Sequence, residues 1–271
     1  MHAIRIAAAL LTLAATAAAQ TPSIVDGTIE QRTVTGALER EFAAIMRDAA
    51  GPAWIGYAVR GRERSSGDGC WDSRKGGQRV TPVRLEGSSE LFVLYRVEER
   101  AVGRIQIAAP DCALDLGGLK LHWLTNVTPA ASLEWLGTFT RGETARRVAD
   151  GAVLAIALHG DAGAVDRLIA IAREGRDRQV RSSALFWISQ RAGDRAAGTI
   201  TDAIEKDPDT QVKRQAVFAL SQLPRAEAVP RLIDVARKNR NPDVRKQAMF
   251  WLGQSQDPRA LAFFEEVLRS R

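Results

Sequence analysis

Eight residues in the C-terminal half of this 271-residue chain have types and spacings suited to gripping another polypeptide. They are Phe186, Phe218 and Phe250, then Gln190, Gln222 and Gln254, and the cations Arg214 and Lys246; each set recurs at an interval of 32 residues. Phenylalanine supplies an apolar anchor, while a glutamine amide both donates and accepts hydrogen bonds, as a peptide backbone demands. That chemistry is recognition, without bond making.

Residues that could make or break bonds are scarce. The chain has three histidines: His2 near the start, His122 within the strand-like "LHWL", and His159 within "LHGD" at a helix end, where an imidazolium would complement the helix dipole. No Gly-x-Ser-x-Gly elbow, phosphate loop, dinucleotide fingerprint or His-Glu pair occurs. The tracts "DGCWD" and "DCALD" would bring Asp68, Asp72, Asp111 and Asp115 together if their cysteines were bonded, but their spacing matches no calcium loop. We therefore expect no metal, no cofactor and no catalytic residues.

The first 19 residues combine Arg5, an apolar run of about 14 residues and Ala17-Ala18-Ala19 before Gln20, the pattern of a secretory signal peptide cleaved near Ala19. That run is shorter than the roughly 20 residues of a membrane span, so no membrane span is expected. The mature protein is accordingly expected in the periplasm or outside the cell. In such a compartment Cys70 and Cys112, the only cysteines, are expected to form a disulfide. In the chain-entropy model a loop of that length contributes about 4 kcal/mol. Charge is uneven: residues 141–271 hold 23 Lys/Arg against 17 Asp/Glu. This excess is too mild for a nucleic-acid surface, so no nucleic-acid partner is expected.

Residues 20–33 are polar and read as a loose leader. Leu38, Phe42, Ile45 and Met46 then fall at helical spacing ahead of Gly51-Pro52. "AWIGYAV" reads as a strand, residues 60–79 as a Gly-, Ser- and charge-rich loop, and "ELFVLYRVEERAVGRIQIAA" as two strands turning near Glu99-Arg100. "LKLHWLTNV" reads as a further strand, so residues 34–128 form a small α+β domain.

From Ser132 onward the chain repeats. Val148, Val180, Val212 and Val244 share one register, followed by Ala152, Ala184, Ala216 and Ala248, and by Ile156, Ile188, Leu220 and Leu252. A second register runs through Ala164, Ala196, Ala228 and Ala260. Each unit is two helices, with Pro208 and Pro242 opening one, Pro224 and Pro258 the other, and Asp207 and Asp257 as N-caps. Neither helix buries its stripe alone, so neighbouring pairs must stack. At 100° per residue Val180, Ala184, Trp187 and Ile188 face the partner helix, which makes Trp187 and Trp251 core fillers. Phe186, Ser182, Ser189 and Gln190 fall on the opposite side, as do Phe218, Phe250 and the Gln and basic residues of the other copies. Each Phe therefore either lines a concave groove or packs against the same helix of the neighbouring repeat.

"DPDTQVKRQAVFALSQLPRAEAVPRLIDVARK" and its flanking copies resemble HEAT repeats of the short bacterial type, over residues 132–271. The resemblance implies an α-dominated fold: a solenoid of about four and a half helix pairs, nine helices in all, preceded by the small α+β domain. It also implies a ladder between repeats, built from an Asp before one helix and a basic residue after its Val. Here those positions hold Asp207 with Lys213, Gly175 with Arg181 and Asn239 with Arg245, so the ladder is incomplete. The implied partner is an unidentified protein or extended peptide bound to the concave face. The opposing expectation is an enzyme or chromophore-attaching lyase, other HEAT-like proteins being lyases, with its chemistry in residues 34–128. A lyase needs convergent titratable groups in a pocket; a scaffold needs an open groove.

Overall fold

A computed structural model describes residues 21–62, 90–191 and 194–269, and within them the residues ahead of the helical half build a five-stranded mixed sheet. Its strands are β1 (Ile24–Thr33), β2 (Ala53–Arg60), β3 (Glu90–Glu98), β4 (Ala101–Ala108) and β5 (Leu114–Thr125), in the order β1-β5-β2-β3-β4. β1 and β2 run parallel to β5 on either side of it, and β3 and β4 continue antiparallel. Helix α1 (Leu38–Asp48) packs on one face through Leu38, Phe42 and Ile45. The β3–β4 turn falls at Glu99-Arg100 as the sequence implies; both residues adopt positive φ, the primed geometry that matches strand twist.

The stretch expected to be a loose leader is instead β1. Its ten residues lie along β5 as an edge strand and are mostly exposed, which is why the segment lacks the apolar alternation of a half-buried strand. Gly27 breaks the register: at φ +135, a Cβ would sit 2.4 Å from the Leu119 carbonyl oxygen. β3 shows the opposite pattern, with "LFVLY" buried on both faces. Leu91, Val93 and Tyr95 face the helices, while Phe92 and Leu94 join Leu116, Leu121 and Trp123 on the other side.

Nine helices follow among the described residues: α2 (Pro129–Thr138), α3 (Arg146–Leu158), α4 (Gly163–Glu174), α5 (Arg178–Ser189), α6 (Asp194–Lys206), α7 (Thr210–Ser221), α8 (Arg225–Lys238), α9 (Pro242–Gln254) and α10 (Pro258–Arg269). The repeat registers are the core. The four Val, four Ala and four Ile/Leu positions of the first register are all buried. α3, α5, α7 and α9 lie close against one another, whereas α2, α4, α6, α8 and α10 are more loosely spaced, so the first set forms the inner layer of the stack.

One capping assignment changes. Helix α7 starts at Thr210, and its cap is Asp209, which accepts from the Gln211 and Val212 amides. Asp207, expected in that role, lies two residues earlier and is spent elsewhere. Asp257 does cap its helix, accepting from the Arg259 amide at 2.9 Å.

The sheet and the repeats share one hydrophobic core. Helix α3 lies across β4 so closely that a Cβ on Gly151 would meet the Ile105 carbonyl oxygen at 2.6 Å. The buried Tyr57 hydroxyl lies 2.7 Å from that of Tyr95 and 3.0 Å from Ser132 Oγ on α2, linking strand to helix by hydrogen bonds. Burial pushes the Tyr57 phenol up to about 12. At the far end of β2, the Arg62 amide donates to Leu158 and the Gly160 amide to Arg60, joining the sheet to the α3–α4 turn. Cys112 is buried just before β5, while Cys70, Asp68, Asp72 and residues 1–20, which include the expected signal peptide, lie outside the described residues.

Candidate protein-binding face

The inner-layer helices position the residues singled out above. Each helix presents its Val, Ala and Ile/Leu to the core, which turns the position two residues before the last apolar contact away from it. That position holds Phe186, Phe218 and Phe250. Both readings of these rings apply in part. Phe186 and Phe218 are half-buried and stack on each other with planes 3° apart and centroids separated by 6.2 Å. Phe250, at the C-terminal end, is 53% exposed. The rings thus cover one another along the stack and leave edges to solvent, most at the end with fewest neighbours.

Trp187 and Trp251 depart from the expected role of pure core filling. Each packs against the core yet is only partly buried, and each joins the aromatic row. Trp187 meets Phe186 edge-on at 5.1 Å; Trp251 lies 5.1 Å from Phe218 and 5.0 Å from Phe250. The row Trp187–Phe186–Phe218–Trp251–Phe250 is therefore continuous across three helices. Ala219, at the matching position of the middle repeat, is fully buried, whereas the larger indoles also reach the neighbouring rings. Between α5 and α7 the row borders a hollow of about 190 Å³, rimmed by Gln179, Ser182, Ser183 and Gln215. The sequence reading missed the contribution of Gln179 and Gln215, although "RQV" and "RQA" carry them in repeating phrases.

Gln190, Gln222 and Gln254 are all exposed at the C-terminal ends of their helices. Gln222 Nε2 donates to Ser221 Oγ at 3.2 Å, and Gln190 to Ser189 at 3.4 Å. Ser182 and Ser189, expected on the open side, are buried; Ser189 turns back to donate to the Phe186 carbonyl at 2.6 Å. Arg214 and Lys246 are exposed, with no ion pair to a carboxylate among the described residues. Arg214 makes long contacts to Gln211 and Gln247, at 3.5 Å.

The other basic position belongs to the fold. Arg181 is buried and grips Asp207 of the next repeat with two hydrogen bonds, of 2.8 and 3.0 Å. Its Nη1 also donates to the Gly175 and Arg176 carbonyls at the end of α4. The hydrogen bonds to Asp207 raise the Arg181 pKa despite burial. Asp207 thus pairs backward across the repeat boundary with Arg181, while Lys213 of its own unit donates to the Glu205 carbonyl and Arg245 to those of Asn239 and Arg240.

Both described histidines are buried. His122 sits in β5, and burial lowers its pKa although Glu30 lies 3.8 Å away. His159 is fully buried at the end of α3, and desolvation drives its pKa down to about 4. It is neutral near pH 7 and does not supply the charge expected to complement the α3 dipole.

Over part of the chain the stack is similar to a known family: residues 199–271 match the model of HEAT repeats. A search of curated proteins returned no match to the chain. Helices α3 to α5 continue the same register upstream of the matched HEAT segment.

Proposed function

We propose that this protein is an exported, non-enzymatic module that binds a protein or extended peptide along the inner face of its HEAT-like stack. The observation that carries the reading is the continuous aromatic row, flanked by exposed glutamines and by two cations without carboxylate partners among the described residues. Rings of this kind bury apolar side chains, and amides beside them satisfy the backbone of the incoming segment. HEAT repeats commonly mediate protein interactions, which agrees with this use of the surface. What favours binding over catalysis is that the exposed groups are rings, amides and cations, whereas His122 and His159 are buried with lowered pKa values. Export rests on the N-terminal signal pattern, and the Cys70–Cys112 disulfide on the compartment that export implies.

The test is site-specific photo-crosslinking from position 250, compared with position 261 on the outer layer, in cells secreting the full chain. A discrete adduct from 250 and none from 261 supports the reading; adducts from both or neither reject it. N-terminal sequencing of the secreted form tests export, which predicts a start at Gln20.

A further inference from the structure

A shift of one repeat places Lys213 where Arg181 stands and Asn239 where Asp207 stands. In the first copy, guanidinium and carboxylate form the buried two-pronged bridge between repeats. In the second, the cation still donates to the carbonyl end of the preceding helix, at 2.8 Å, but the carboxylate has become a neutral amide. Asn239 uses its Oδ1 to accept from the Asn241 amide and donates through Nδ2 to nothing among the described residues. One rung of the ladder lacks its negative charge.

The packing is open at that rung. The outer helices are loosely spaced, and between α6 and α8 lies a cleft of about 770 Å³ that both Lys213 and Asn239 line. Arg231, Lys238 and Arg240 also line it. Lys238 is held by Asp234 at 2.5 Å and Arg231 by Glu227 at 3.9 Å. Lys213 and Arg240 have no carboxylate partner among the described residues. Glu205 on the α6 side offsets part of this charge, and the balance of the cleft remains positive.

We propose that the α6–α8 cleft binds the carboxylate side chains of an acidic peptide segment, one of which takes the place of the absent ladder carboxylate beside Lys213. Two features select this class. The neighbouring rung shows that the position is built for a carboxylate. The cleft is large enough for a whole ligand rather than a single small anion, and its cations are spread along α8 and the loop after it. This site lies on the opposite layer from the aromatic row and does not depend on it.

The test is fluorescence anisotropy with labelled hexaglutamate, and hexaglutamine as control, on the full mature chain at low salt. Asn239→Asp restores the internal carboxylate and should weaken hexaglutamate binding about tenfold or more while raising Tm; Arg240→Gln, on the exposed rim, should weaken it about threefold without moving Tm. Hexaglutamine should not bind. The proposal is overturned if hexaglutamate fails to bind, if both variants bind it as the wild type does, or if hexaglutamine binds equally. Displacement of the peptide by citrate or inorganic phosphate at equal or lower concentration would also overturn it, in favour of a small-anion site. Should Asn239→Asp fail to fold, the Arg240→Gln comparison still decides.

Discussion

Arg181 and Asp207 are buried together at a repeat boundary, and that single pair carries two consequences. Removing one partner leaves an uncompensated charge in a desolvated site, at a cost of about 3–5 kcal/mol, whereas removing both is much milder. Asp207→Ala should therefore lower the free energy of unfolding by that amount, and Arg181→Met with Asp207→Leu should recover most of it; urea denaturation measures both. The pair was half legible in the sequence. Its residue types stood out, but the pairing across the boundary did not, because within one unit Asp207 and Lys213 are the nearer neighbours along the chain. The same limit applies to Trp187 and Trp251: helical geometry places them toward the core, and their contacts with Phe186, Phe218 and Phe250 show only in the packed structure.

At the scale of elements, the junction between the end of β2 and the α3–α4 turn has a pH dependence of fixed sign. His159 is fully buried there; Arg191 donates to its carbonyl oxygen at 3.2 Å, and Asp161 donates its amide to Nδ1 at 3.3 Å. Desolvation lowers its pKa from the ordinary 6.5 to about 4, so the folded chain binds fewer protons than the unfolded chain between those values. Its contribution to stability is complete above pH 6.5 and is lost as pH falls through 4, by about 3 kcal/mol. Denaturation from pH 7 to 4 should show this loss, and His159→Gln should flatten that part of the profile. Helix α3 on β4 gives a second prediction: Gly151→Val should destabilise by about 1–3 kcal/mol, because the added Cβ meets the Ile105 carbonyl oxygen. Most helices were legible because their apolar stripes repeat in register. β1 was not, since a solvent-exposed edge strand has no buried face to impress a pattern on its residues.

Across the whole molecule, the continuous core and the Tyr57–Tyr95–Ser132 hydrogen bonds make the sheet and the repeats one structural body. Calorimetry should show a single transition whose calorimetric and van't Hoff enthalpies agree; two resolved transitions would contradict the shared core. The boundary near residue 130 marks a change of secondary structure and does not interrupt the core, a distinction that hydrophobic periodicity alone does not make. The proposed disulfide predicts that denatured, unreduced protein yields no free thiol. Residues facing inward explain why the 32-residue phrase repeats, and the central claim concerns those that do not. It is tested most directly with Gln222→Ala combined with Lys246→Ala in the full chain, by measuring partner capture from envelope extract together with Tm. The account predicts capture reduced about tenfold with Tm nearly unchanged. Undiminished capture, or a fall in Tm of several degrees, would contradict it by placing those residues outside the binding face or inside the fold.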